Sequence, residues 1–128
     1  MIKYFTKEYI AECDCEEIQK SKHKLQYGDW VYSLRLNGEM TIWATIIPQG
    51  RKKVNNETWL PTGDQLDEEI IKIFKTGYNY NSSYCQATKT YVSYIEPDYP
   101  DKELTEEITV YGDNFLIAKI KLLKELLK

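Results

Sequence analysis

The chain is poor in the residues on which most site chemistry depends: among 128 residues there are one histidine, three cysteines, six glycines and four prolines. Any Ser/His/Asp or Cys/His nucleophilic arrangement must use His23, which stands between Lys22 and Lys24 in a charged connector, where a solvated imidazole is the simplest reading. Soft metal ligands are as scarce. Cys13 and Cys15 are two residues apart, and on a helix such side chains point ~200° apart, so both thiolates cannot reach one zinc ion. The same spacing suits a disulfide badly, and with Cys85 as the odd third cysteine reduced thiols are expected. No glycine falls in a Walker or dinucleotide pattern. No catalytic residue, metal or cofactor is therefore expected, and the chain reads as a non-enzyme.

Long apolar runs and a strong charge excess are missing too. Nothing approaches the ~20 apolar residues of a membrane span, and Met1 through Glu8 holds no apolar run of signal-peptide length. A cytoplasmic protein without membrane contact is expected. Seventeen basic against twenty acidic residues leave a net charge of −3, which disfavours binding through neutralised phosphates. The best basic patch is Arg51, Lys52 and Lys53, and most three-residue charge runs are solvated loop. Enough apolar content remains, at 42%, for one packed core, so residues 1–128 are expected to form a single domain.

The clearest local signal runs from Trp59 to Ile71. Pro61 suits the residue before a helix, and Thr62 with Gln65 has the spacing of a capping box. Leu66, Ile70, Ile73 and Phe74 then recur at offsets 0, 4, 7 and 8, the pattern of a one-sided helix that ends near Gly77. Asp64, Asp67, Glu68 and Glu69 lie near its positive end, where carboxylates stabilise it.

The segment from Thr6 to about Ser21 is free of glycine and proline and predicts a helix, with Asp14 and Glu17 offering an alternative cap for a shorter one. Asn37-Gly38 between two β-prone runs predicts a two-residue hairpin turn. Tyr32 then faces Trp43, one face carries Trp30, Tyr32, Leu34 and Trp43, and the other carries Val31, Met40, Ile42, Ala44 and Ile46. Residues 48–57 read as a polar connection. Tyr78 to Tyr94 reads as a second hairpin turning near Thr88-Lys89 or at 81–83, and a brief strand at 107–111 follows it. Asp113 or Asn114 caps a last helix with the stripe Leu116, Ile120, Leu123 and Leu127. The order predicts an α+β fold, an antiparallel sheet from hairpins with about three helices packed on it.

One surplus remains. Eleven tyrosines are present, six of them between Tyr78 and Tyr99. Tyrosines are ordinary strand residues, and they are also rigid anchors at protein interfaces. Trp30, Tyr32, Trp43, Tyr80, Tyr84 and Tyr91 are the candidate interaction surface, for a protein partner or a second copy of the chain.

Tyr27-Gly28-Asp29-Trp30-Val31-Tyr32, followed by Trp59-Leu60-Pro61-Thr62, Asp64-Gln65-Leu66 and Glu69-Ile70, resembles small proteins carried by bacterial prophages and mobile elements. These pair a Gly-Asp-Trp turn with a Trp-Leu-Pro-x-x-Asp-Gln-Leu helix start. The resemblance spans about residues 9–75 and implies no activity and no functional residue. A phage-type accessory protein working by protein–protein contact is the expectation, with an accessory nucleic-acid binder or an immunity-type toxin inhibitor as alternatives.

Overall fold

The computed structural model describes residues 5–22, 24–34, 38–45, 51–52, 57–73, 78–97 and 107–128. The chain is α+β and divides into two compact units, Met1–Thr62 and Gly63–Lys128.

In the first unit Thr6 caps helix α1 (Lys7–Cys13), its hydroxyl accepting from the Tyr9 amide at 3.1 Å. A single helix to Ser21 does not form. Asp14 leaves the helical region at ψ 64, Cys15 is extended, and a short α2 (Glu16–Lys20) begins after it. The break occurs where the alternative reading put it, but Asp14 closes α1 rather than capping α2. Gln19 then satisfies backbone groups that the break and a neighbouring strand leave open. Its amide donates to Cys13 O at 2.8 Å and to Trp59 O at 3.1 Å, and accepts from Trp59 N at 2.8 Å.

Strands β1 (Lys24–Leu25), β2 (Trp30–Leu34), β3 (Met40–Ala44), β4 (Arg51–Lys52) and β5 (Glu57–Leu60) complete this unit. β1 pairs with β4, and a separate antiparallel sheet has the order β3-β2-β5. Its register corrects the expected hairpin. Tyr32 pairs with Ile42 and Val31 with Trp43, so an odd number of residues, 35–39, separates Leu34 from its partner Met40. That one-residue slip sends Trp43 to the face of Val31 and brings Met40, Ile42 and Ala44 to the face of Trp30 and Tyr32. Only Gly38 of the Asn-Gly pair is described, with φ 86.

β5 was hidden within the segment ahead of the capped helix. It pairs Trp59 with Val31, both side chains being essentially inaccessible. The Gly-Asp-Trp turn is a hydrogen-bonded corner. Gly28, at φ 91, donates to Thr45 O at 2.8 Å, Thr45 N donates to Asp29 O at 2.8 Å, and the buried Asp29 carboxylate accepts from Gln26 N at 2.7 Å. Lys22 reaches the same carboxylate at 3.2 Å and lies over the Trp59 ring at 5.3 Å.

The second unit opens with α3 (Gly63–Ile73), which starts directly after Thr62 and buries Leu66 and Ile70. The end near Gly77, and with it Phe74, lies outside the described residues. Strands β6 (Tyr78–Cys85), β7 (Thr90–Pro97) and β8 (Ile108–Gly112) form an antiparallel sheet in chain order, and the hairpin turns at residues 86–89 with Lys89 at φ 55. Helix α4 (Phe115–Leu126) is capped by Asn114, whose side chain accepts from Ile117 N at 2.9 Å. Its buried residues are Ile117, Ala118, Ile120, Leu122 and Leu123: Ile120 and Leu123 of the expected stripe are among them, Leu116 and Leu127 are half-buried, and burial extends around most of the helix instead of following one stripe.

α4 meets the sheet where the chain has no side chain. A Cβ at Gly112 would lie 2.6 Å from the Ala118 amide nitrogen and 2.8 Å from Ile117 Cγ2. Backbone cannot retreat as a side-chain tip can. Gly112→Ala is therefore expected to lower the unfolding free energy by about 2–3 kcal/mol in urea denaturation. Gly63→Ala, whose Cβ would meet Lys119 Nζ at 3.6 Å, is expected to be neutral or slightly stabilising.

Candidate protein-contact site

The cross-strand register of the second unit places Tyr84, Tyr91 and Gly112 in one row across β6, β7 and β8. They share the sheet face that carries Ser93 and Ile95, both buried. Position 112 contributes no side chain, and the space above it is filled by Ile117 and the Ala118 amide, while Phe115, at the first position of α4, reaches the Tyr91 ring. Tyr84 and Tyr91 meet edge to face with ring centroids 5.0 Å apart, and Tyr91 meets Phe115 in the same manner at 4.4 Å. Each such pair contributes about 0.5–1.5 kcal/mol beyond the area it covers.

The row is ordered and yet open to solvent. Tyr84 is 48% and Phe115 41% exposed, and Tyr111, beside Val92 on the opposite face of the sheet, is 52% exposed. One end of the sheet thus presents three large aromatic side chains. Cys85 follows Tyr84, and its thiol is held below the ordinary cysteine range, chiefly by the Thr88 hydroxyl and then by the Thr88 amide.

A polar chain fixes β6 beneath the two helices. The Tyr80 hydroxyl donates to Asp67 Oδ1 at 2.6 Å, Lys119 Nζ donates to Asp67 Oδ2 at 3.1 Å, and the Ser82 hydroxyl donates to Tyr80 at 3.3 Å while pairing with Ser93 at 2.7 Å. One carboxylate from α3 therefore joins a strand to α4. Burial, then the Asp67 carboxylate, raises Tyr80 well above the usual phenol range, against a smaller opposing pull from Ser82. Tyr, Lys, Asp and serines in contact resemble proton-transfer machinery, but a phenol held protonated by an anion is a donor fixed in place. The chain reads as a structural clamp.

Of the residues expected to form an interaction surface, the structure brings Tyr84 and Tyr91 together and sets Tyr80 on their side of the sheet as the donor to Asp67. Trp30 and Tyr32 share one face of the first unit's sheet, where Trp30 packs near Phe5 at 5.8 Å. Trp43 is on the other face and donates to Ser33 Oγ at 2.7 Å. Arg51 and Lys52 pair through their backbones with Leu25 and Lys24, while Lys53 lies outside the described residues, as does His23. Phe115 and Tyr111 were not foreseen. Phe115 fits no position of the α4 stripe, and an aromatic off-stripe beside the cap was the available signal.

Among the described residues no three histidine, cysteine, aspartate or glutamate side chains are grouped as a metal site would require. No described helix is long and apolar enough to cross a membrane. No family model matches this sequence, and neither a curated protein nor a solved structure matches it.

Two phenols, Tyr80 of the clamp and Tyr9 of the first unit, give the chain a measurable pH signature. Tyr9, deeply buried and donating to Pro61 O at 2.6 Å, and Tyr80 both have raised pKa values in the folded state. Their contribution to stability is complete below the unfolded phenol value of about 10 and is lost as pH rises beyond it. Tyr80→Phe is expected to cost about 1 kcal/mol at pH 7, and the gap from the wild type is expected to narrow in urea titrations above pH 10.

Proposed function

We propose that this chain is a non-catalytic, phage-type accessory protein that acts by protein–protein contact, with the aromatic end of the β6-β7-β8 sheet as its binding surface. The observation that carries this reading is the edge-to-face row Tyr84–Tyr91–Phe115, held by a helix cap and a glycine contact, with Tyr84 and Phe115 still largely exposed. Aromatic side chains are enriched in interface cores because they cover a large area while giving up few rotatable bonds on binding. A surface that is already ordered loses less entropy when it docks.

A protein partner suits the row better than nucleic acid. The rings pack edge against face, so they offer no succession of parallel faces on which bases stack, and the chain carries a net charge of −3. The phage-type character rests on the Gly28-Asp29-Trp30 corner and the Trp59-to-Leu66 helix start, which the resemblance groups together.

The test is quantitative affinity capture from source-cell extract with the wild-type chain and with Tyr84→Ser/Phe115→Ser, each first checked to be fully folded at the capture temperature, the variant being expected to unfold at a lower midpoint because both ring pairs are lost. A protein captured by the wild type and depleted at least about 30-fold by the variant is expected, since losing one interface anchor already produces an effect of that size and the variant loses two. An identical set of captured proteins from the two chains would remove the aromatic row from the account.

A further inference from the structure

In the first unit, α1 does not cover the whole sheet face it packs on. It contacts β5, and a pocket of about 340 Å³ remains between it and the strands. Tyr32, Met40 and Thr58 line the sheet side of this pocket. The helix side is lined by Lys7, Ile10, Ala11 and Asp14, spaced 0, 3, 4 and 7 along the chain, which is one continuous helix face. Tyr9 and Cys13 point the other way, into the core. Lys7, Ala11 and Asp14 are exposed, and Met40 is 46% exposed.

The two ends of this face carry opposite charges, so reversing it sets each end against its complement. In order it is a cation, an aliphatic residue, a small residue and an anion. If a second α1 lies antiparallel across it about a two-fold axis, every opposed pair of positions sums to 21. Lys7 then faces the partner's Asp14, and Ile10 faces the partner's Ala11. Each pair occurs twice, as an isologous contact requires. Ala11 is small enough for the two helices to approach closely, and the unbranched Met40 side chain adapts to what covers it.

We propose that the α1 face is a self-association surface whose occupant is the same face of a second copy of this chain. Charge complementarity selects that occupant, because a helix with any other charge order loses one or both ion pairs. The contact is small, since α1 has seven residues, and it therefore belongs to the weak, reversible class of association. It is separate from the aromatic row, so either surface can fail its test without the other.

Sedimentation velocity of the full chain from roughly 10 to 500 µM tests it, a range suited to a weak dimer. The wild type is expected to show a reversible, concentration-dependent dimer. Lys7→Glu and Asp14→Lys each oppose two pairs of like charges in the dimer, and each is expected to weaken it by about tenfold. Lys7→Glu/Asp14→Lys in one chain restores both attractions with reversed sign, and is expected to return association to within about threefold of wild type. Both single substitutions place charges that favour the helix dipole, an anion at the start of α1 and a cation at its end, so weakened association is not explained by a melted helix. Tyr84→Ser/Phe115→Ser is expected to leave the dimer unchanged. A wild type that stays monomeric over the whole range overturns the proposal, as does a double reversal no better than the single ones.

Discussion

The aromatic surface depends on one steric condition, that position 112 carries no side chain. Ala118 N stands 2.6 Å from where a Cβ would be, so α4 rests on the backbone of β8 itself. Four consequences follow along the chain. Asn114 lies close enough to turn the chain and cap the helix, Phe115 falls at the first helical position, its ring reaches Tyr91, and Ile117 with the Ala118 amide fills the space left at position 112. The Asp67 carboxylate, accepting from Tyr80 and Lys119, fixes the helices against β6 at the other edge of the same sheet face. Rigidity and exposure are thus combined in one place, where folded chains usually trade one for the other.

The first unit is held by a different device. Its elements are short, with α2 at five residues and β5 at four, and short elements leave many terminal backbone groups to satisfy. Three side chains answer most of that need. Gln19 closes the end of α1 and both backbone polar groups of Trp59, Asp29 organises the Gly28 corner, and Tyr9 donates to Pro61 O. The Trp59 indole N–H, by contrast, is buried without a partner among the described residues, a cost offset by the Lys22 ammonium over its ring and by the nearly complete burial of a tryptophan side chain.

What was legible in the sequence was mostly local. The Thr62 boundary, the Asn114 cap, the turn near Lys89 and the strand ahead of Gly112 all depend on residues within a few positions of one another. The hairpin register was not legible. It depends on the number of residues in the turn, and a five-residue separation between Leu34 and Met40 reverses the face of every β3 side chain relative to a two-residue turn. β5 escaped for another reason: its pairing with β2 joins residues distant in sequence, and four residues ending at a proline-bounded helix start carry no periodicity. Half of the candidate site was visible as a tyrosine surplus. The other half, Gly112 and Phe115, acquires meaning only once α4 is laid on the sheet, because a glycine at a strand end and one off-stripe aromatic are each ordinary features alone.

The central claim is that α4 sits backbone-to-backbone on β8 and so presents a fixed aromatic row to solvent. Nuclear Overhauser spectroscopy of the full chain tests it most directly. Cross-peaks are expected from the Gly112 α-protons to the Ala118 amide, and from the Tyr91 ring to the rings of both Tyr84 and Phe115. A Phe115 ring with no cross-peak to Tyr91, together with no Gly112–Ala118 contact, would contradict it.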